Sequence, residues 1–550
     1  MEKRIREGRR AAAGILAAFT LLGTVASPAA AQVEVSTTVT EVPEAPELVV
    51  EDGRLMLQLE DAILLALRRN LDLTVERYGH EQALLGIVQS RGIYDLRAEL
   101  RGNLADSESP NAEQLQGRAV VVSENRDASL GFAQLTPWGG EAQFGLSAGR
   151  VSSNSANQLL DPSLGAGGEF QFFQPLLRDF GRLATERPII QARLASGQSR
   201  EFFEQQVANL LQSVENAYWG LVEARDQLVV ADESRRLASE LHERNRIQVD
   251  VGTLAPIEMV QSEATIALRQ EDIISAQARL GDAEDLLLQL LNLPQAMAEG
   301  LEVEPRTRPE TERVEIDVPA AIRTAMAERP ELRQQQLAVE RLEVDAAYFR
   351  NQKLPTANLT VAYDSQAVGG QPVPGSGFVV RNQDFADAFS DVFGLEFTGW
   401  SIGIVAAMPL QNRSARAQST IADLDLAQGR TELQQLELDI MTEVRSAARA
   451  VTTAAQQIES ARASVTLQER NLDAEQKRYE NGMSTSFRIT EIQEDLTQAR
   501  SRQVSAVTNY RRALADYHRA TGRLLEVDGV ELAGPVEVEL PAASVFSLFR

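Results

Sequence analysis

The chain has no cysteine among its 550 residues. That excludes a disulfide framework, a thiolate metal site and a lipidated N-terminal cysteine. Histidine is nearly as scarce. His80, His242 and His518 each lie in a helical polar run, without metal-ligand or catalytic-triad spacing. No phosphate-binding loop and no H-E-x-x-H motif occurs. The one G-x-S-x-G match, Gly145-Leu146-Ser147-Ala148-Gly149, lies inside an alternating strand segment, whereas a nucleophile elbow needs a strand-to-helix turn. The carboxylates follow the solvated faces of helices, so no enzyme activity, metal or cofactor is expected. Basic residues are outnumbered, 54 against 79 acidic, for a formal charge of −25. A phosphate backbone wants a basic surface, so nucleic acid is not an expected partner. Aromatics make up only 5% of residues, low for a compact core and normal for long Ala/Leu/Glu/Gln/Arg helices.

Long apolar runs are also missing. The only one, Ala11 to Ala26, is short of the roughly 20 residues a spanning helix needs. It follows Lys3, Arg4, Arg6, Arg9 and Arg10 and precedes the small-x-small sequence Ala29-Ala30-Ala31. Residues 1–31 therefore read as a cleavable export signal, and their removal takes the charge to −28. Crossing a membrane would then fall to strands. Residues 32–54, rich in Val, Thr, Glu and Pro without helical period, read as a disordered leader.

What is abundant is long helix. From Ile189 to Val251 some sixty residues follow Pro188 without an internal proline. A break at Gly252-Thr253-Leu254-Ala255-Pro256 leads to a return run from Ile257 to Leu293. Val207, Leu211, Val214, Tyr218, Leu221 and Leu228 form the seam of a coiled coil. At 1.5 Å per residue the first arm is roughly 95 Å long. Such a hairpin is built to reach across a distance.

The pattern recurs. Arg416 to Asn481 is a second long arm, Gly482-Met483-Ser484-Thr485-Ser486 a break, and Phe487 to Leu525 its return. An offset of 230 places Gly252 on Gly482. Farther upstream Phe173-Gln174-Pro175-Leu176 falls on Ala407-Met408-Pro409-Leu410, and Asp61-Ala62-Ile63 on Ala320-Ala321-Ile322. The chain is thus read as an internal duplication: residues 55–293, an acidic linker over 294–315, residues 316–526, and a tail over 527–550. An amphipathic helix or helix pair over Leu57–Ile87, with Leu59, Ala62, Ile63, Ala66 and Leu67 on one face, opens the first copy.

Between the opening helix and each hairpin the hydrophobic period drops to two. Leu96, Ala98, Leu100, Gly102 and Leu104 alternate with Asp95, Arg97, Glu99, Arg101 and Asn103. Phe170 and Phe172 alternate with polar neighbours, as do Leu359, Val361 and Tyr363, and Trp400, Ile402 and Ile404 alternate with small or polar ones. A transmembrane strand beside a watery lumen has this pattern, and so does an ordinary half-buried antiparallel sheet. Two strands per copy make four per chain, too few to close a membrane barrel alone. Open edges cannot face lipid, so a barrel would require an oligomer. Leu130–Leu135 and Glu141–Ala148 are extra alternating segments without counterpart in the second copy. Residues 154–165 and 368–389, rich in Ser, Asn, Gly and Pro, read as solvent-facing loops.

Duplicated long hairpins interleaved with short strands behind an export signal resemble the TolC family of outer-membrane efflux and secretion ducts. The run Gln174-Pro175-Leu176-Leu177-Arg178-Asp179-Phe180-Gly181 and the tips Val249-Asp250-Val251-Gly252-Thr253 and Tyr479-Glu480-Asn481-Gly482 carry the likeness. The resemblance implies a mixed, mainly α fold in a homotrimer. Each chain would give four strands to a twelve-stranded outer-membrane β-barrel and its hairpins to a periplasmic α-barrel. It implies a passive exit duct of a tripartite efflux or type I secretion system, served by a periplasmic membrane-fusion adaptor and an inner-membrane transporter. Under it the adaptor engages the tips at Val251, Gly252, Thr253, Asn481, Gly482 and Met483. Glu258 and Tyr479 match a carboxylate and a tyrosine of the closed periplasmic gate. Arg488 and Glu491 stand where relatives carry two acidic rings, and Ser484 where an arginine latch occurs. Arg488 and Glu491 also fit a simple i,i+3 surface pair. An adaptor itself would carry one hairpin and a biotin-carrier-like β-module, and a soluble coiled-coil protein would need neither signal nor strands.

Overall fold

The structure, a computed structural model, describes residues 49–51, 53–110, 119–156, 158–373 and 383–530. The stretch read as an export signal, most of that read as leader, and the tail beyond 530 lie outside the described residues.

Two helices dominate. In chain order, α1 (Leu59–Arg69) and α2 (Leu71–Arg91) precede α3 (Arg182–Asp250), which turns into α4 (Ile257–Leu290). After α5 (Pro294–Glu299) the order is repeated. Here α6 (Val318–Glu328) and α7 (Pro330–Asn351) precede α8 (Phe385–Phe393), and α9 (Arg413–Glu480) turns into α10 (Ser486–Ala520). A last short turn is α11 (Leu524–Val527). With 69 and 68 residues, α3 and α9 are each about 100 Å long. α3 begins earlier than the proline pattern suggests, at Arg182, with Pro188 inside its second turn. There a missing N–H forfeits only one bond near a frayed end.

The helices form a slab one helix thick. Beside the strands the order is α2–α3–α7–α9; toward the tips it is α4–α3–α10–α9. Each long helix is thus flanked along one half by its own return arm and along the other by a short entry helix. The α3 seam is buried as its spacing predicts, with Val207, Leu211, Val214, Tyr218 and Leu221 all at 1% exposure or less, while Leu228 is half-buried.

Where the two halves of the slab meet, a small sheet packs on it: β1 (Val49–Glu51), β2 (Arg54–Leu57) and, parallel to β2, β7 (Glu302–Pro305). The stretch read as a disordered leader therefore ends in strand, and the stretch read as linker supplies α5 and β7. The Tyr218 hydroxyl donates to the Leu57 carbonyl at 3.1 Å and accepts from the Thr307 amide at 2.9 Å, tying this sheet to α3. Leu57 belongs to β2 rather than to a helix, and of the two readings of 57–87, one helix or a pair, the structure has the pair. Asn70 separates them, its side chain accepting from the Leu73 amide at 3.0 Å.

The large sheet corrects the strand count. Its order is β3 (Arg97–Pro110), β4 (Val120–Leu135), β5 (Glu141–Ser153), β6 (Leu160–Pro175), β8 (Thr356–Pro372) and β9 (Thr398–Ala407), every neighbour antiparallel. Six strands replace the expected four, because the extra alternating segments of the first copy pair as a full hairpin. A tight turn closes it: the Thr136 amide donates to the Gly140 carbonyl, and Gly139 takes φ +86°. Residues 160–165, read as loop, belong to β6, and the loop over 368–389 contains α8 and the end of β8. Residues 374–382 lie outside the described residues.

Candidate functional site

The tips show how closely the two hairpins match. In the first, the Gly252 amide donates to the Val249 carbonyl and the Thr253 amide to that of Gln248, both at 2.9 Å. In the second, Gly482 donates to Tyr479 and Met483 to Arg478, again at 2.9 Å. This is the paired-bond stop of a helix, and it requires a residue with positive φ. Gly252 at +78° and Gly482 at +71° supply it without a Cβ to clash. Val251 and Met483 project into solvent at 68% and 63% exposure. Asn481 folds its side chain back onto the Lys477 carbonyl at 2.6 Å.

Just inside the tips lies a polar layer. Tyr479 is buried, and its hydroxyl reaches the side-chain oxygens of Asn245 at 2.7 Å and Gln248 at 3.0 Å on α3. Burial, and the charge of nearby Glu258, hold the Tyr479 phenol above its usual range. Glu258 itself accepts from the Ser486 hydroxyl at the start of α10. Within one chain, then, Glu258 and Tyr479 are neighbours that each bond to other groups. The Ser484 hydroxyl donates to the buried Glu475, which also pairs with Arg478 at 3.1 Å. Arg488 and Glu491 form an i,i+3 ion pair at 2.6 Å with both side chains about half exposed. The sequence reading missed Asn245, Gln248 and Glu475. An Asn and a Glu at positions of the buried seam are the signal that could have found them.

At the other end of the molecule the register sorts the sheet into two faces. One is a groove lined by Arg97, Glu99, Arg101, Glu141, Gln143 and Glu169 together with glycines and serines. Arg97 pairs with Glu141 at 3.3 Å and Arg101 with Glu99 at 2.7 Å. The opposite face is apolar, and its residues form rows across the strands. Ala98, Phe132, Phe144, Phe170, Tyr363 and Trp400 are direct partners from β3 through β9. So are Leu100, Leu130, Leu146, Gly168 and Ser365, one row farther from the helices. Trp400 is 74% exposed. A continuous aromatic row on an apolar, solvent-bared face is the pattern that girdles a transmembrane β-barrel at its interfaces. The edge strands β3 and β9 are exposed nearly throughout. Among the described residues no helix is long and apolar enough to cross a membrane.

Comparison with known proteins agrees with this geometry. Residues 321–523 match the family model described as outer membrane efflux protein. No curated protein matches the chain. Among solved structures, the outer-membrane channel OprN superposes with a TM-score of 0.62 at 16% identity, covering 84% of this chain and 89% of its own. The Campylobacter jejuni CmeC outer membrane channel gives 0.62 at 16%, covering 85% and 86%. The open state of the Neisseria gonorrhoeae MtrE outer membrane channel gives 0.57 at 16%, covering 85% and 89%. These findings bear out the resemblance drawn from the hairpins and the mainly α fold with accompanying strands.

Proposed function

Carrying an outer membrane efflux protein domain within the fold of outer-membrane channels, this chain is, we propose, the passive exit duct of a tripartite efflux or type I secretion system. One observation carries the reading most: a sheet with an apolar outer face, an aromatic row and two bare edges is joined at one end to hairpins about 100 Å long. Bare edges demand partner copies. A homotrimer pairs β9 of one copy with β3 of the next, and three six-stranded sheets make an eighteen-stranded barrel. The polar groove then faces the lumen. The outer helices of the slab, α4 and α9, bare Val260, Leu268 and Ile274 on one and Ile421, Leu424 and Leu438 on the other. Neighbouring copies cover these in a periplasmic α-barrel.

An inner-membrane transporter supplies the energy, and a periplasmic adaptor seats on the tips around Val251, Gly252, Thr253, Asn481, Gly482 and Met483. Glu258, Tyr479, Ser484, Arg488 and Glu491 form the entrance. Closed, the entrance is held by the polar layer beneath the tips. Opening it means exchanging bonds such as Tyr479 to Asn245 for bonds to water, at roughly 1 kcal/mol each. An adaptor that binds only the splayed tips can supply that amount three times over.

Single-channel conductance in a planar bilayer tests this reading, with Arg488→Asp measured alongside. The duct gives discrete channels, and the substitution, which places two carboxylates three residues apart, shifts them toward cation selectivity. Channels indifferent to Arg488→Asp would return that residue to an ordinary surface pair. A folded trimer that never conducts, even with its tips truncated, overturns the duct.

A further inference from the structure

One row of the sheet breaks the apolar face. Beyond the row Gly102, Ala128, Ala148 and Ala166 comes Leu104, Arg126, Arg150 and Leu164. Arg126 and Arg150 are direct cross-strand partners on the same face as the aromatic row, at the far end from the helices. Like charges opposite one another on adjacent strands repel. Here the compensation is slight. Arg126 reaches only Glu124, at 3.5 Å on its own strand, with the carboxylate half exposed. Among the described residues Arg150 has no ion pair, and both arginines are half-buried.

The surroundings have a shape. Below the arginines the outer face is a shelf of small and aliphatic residues: Ala128, Ala148, Leu130 and Leu146. Beside it stands α8, which packs on β6 and β8 through Ala388 and Val392 against Ala166 and Ala367. The Ser365 hydroxyl donates to the Val392 carbonyl at 2.9 Å and fixes the helix there. Phe393 at the end of α8, and Leu395 and Phe397 in the turn that follows it, are each more than half exposed. An amphipathic helix with bare aromatics lying on an apolar sheet face suits the boundary between acyl chains and headgroups. α8 thus borders the shelf on one side, and the arginine pair stands at its outer end; we call this juxtaposition the trough.

We propose that this trough binds one phosphorylated glycolipid of the outer leaflet. Arg126 and Arg150 hold the headgroup phosphate, and the acyl chains lie over Leu130, Leu146 and the small-residue shelf against α8. Guanidinium groups suit phosphate because their planar donor forks match its oxygens. The anion also relieves the repulsion between the two arginines. Carboxylates near the pair, Glu124 beside Arg126 and Asp161 bonded to Ser152, sit beyond the arginine row and deny the site to a second anion. The proposal rests on the duct reading, because only in a barrel does the apolar face meet lipid.

The test uses the full-length trimer, delipidated in detergent, and follows its thermal unfolding with added lipopolysaccharide, with the same lipid stripped of phosphate, and with inorganic phosphate. Wild type is stabilised by the phosphorylated lipid alone. Arg126→Gln with Arg150→Gln binds that lipid at least tenfold more weakly, and Arg126→Lys with Arg150→Lys retains part of the binding. Equal response to the stripped lipid, equal response to inorganic phosphate, or an unaffected double Gln variant overturns the site. Bilayer conductance of the double Gln variant separates the two readings. It remains that of wild type when only the lipid site is lost, and channels missing from wild type as well would condemn the duct itself.

Discussion

Glu215 is a carboxylate in the wrong place for a solvated helix. It lies on α3 between the seam residues Val214 and Tyr218 and is 6% exposed. Burial, reinforced by the nearby charge of Asp528 and opposed by Arg511, pushes its pKa up to about 7, and burial pushes Asp528 up to about 6. The unfolded chain releases these protons near the ordinary carboxylate range while the folded chain keeps them. Between those values the native state binds more protons, so stability falls as pH rises and is lowest above about 7. Glu215→Gln removes the Glu215 share of this dependence. Thermal unfolding of the variant and the wild type, compared at pH 5 and pH 8, shows the variant more stable at pH 8 and the two nearly equal at pH 5. A difference of the same size at both values would mean that Glu215 is charged when folded.

At the scale of elements, the two hairpins are joined by a buried charge cluster rather than by apolar packing alone. Arg329, at the start of α7 and 5% exposed, pairs with Glu331 at 2.9 Å and with Glu443 on α9. Arg519 on α10 shares Glu443 at 2.8 Å and reaches Asn209 on α3 at 2.9 Å. Four helices meet at this knot. Removing Arg329 leaves the mostly buried Glu331 without its main partner, which typically costs about 3–5 kcal/mol. Arg329→Ala is therefore expected to lower stability by that amount in denaturant unfolding, whereas Arg523→Ala, which breaks an exposed pair with Glu526, stays within about 0.5 kcal/mol. A small loss for Arg329→Ala would show that water reaches the cluster. The β4–β5 hairpin is an element of a different kind. It occurs only in the first half of the chain, and its turn docks on the strand-to-helix junction, where the Gly181 amide donates to the Trp138 carbonyl at 3.2 Å.

In the proposed trimer, that hairpin sets the size of the exit. Barrel diameter grows roughly in proportion to strand number, so eighteen strands make a bore about half again as wide as twelve. The strands flanking the hairpin, β3 and β6, run in opposite directions and can pair once it is gone. Deleting residues 119–153 is expected to leave a folded trimer whose β-barrel, imaged by electron microscopy, narrows to twelve strands above an unchanged α-barrel. A trimer in which wild type already shows twelve strands would place the hairpin outside the barrel wall.

Much of this was legible in the residues themselves. The periods of 3.5 and 2 and the glycine tips follow from local chemistry, because helix, strand and helix stop are decided within a few residues. Those signals identify the hairpins, the strands and the positions of Gly252 and Gly482. Tertiary structure alone decided which residues share a layer. Alternation says that Phe132, Phe144, Phe170, Tyr363 and Trp400 lie on apolar faces; only the register aligns them in one row. Helix α8 was overlooked because the glycine- and proline-rich residues before it set the reading of 368–389, although Phe385, Ala388, Phe389 and Val392 already keep a helical period behind the Asp384 cap. Arg126 and Arg150 are 24 residues apart in sequence, and neither stands out alone. Pairing of distant segments is a property of the folded sheet, and no short window of sequence contains it.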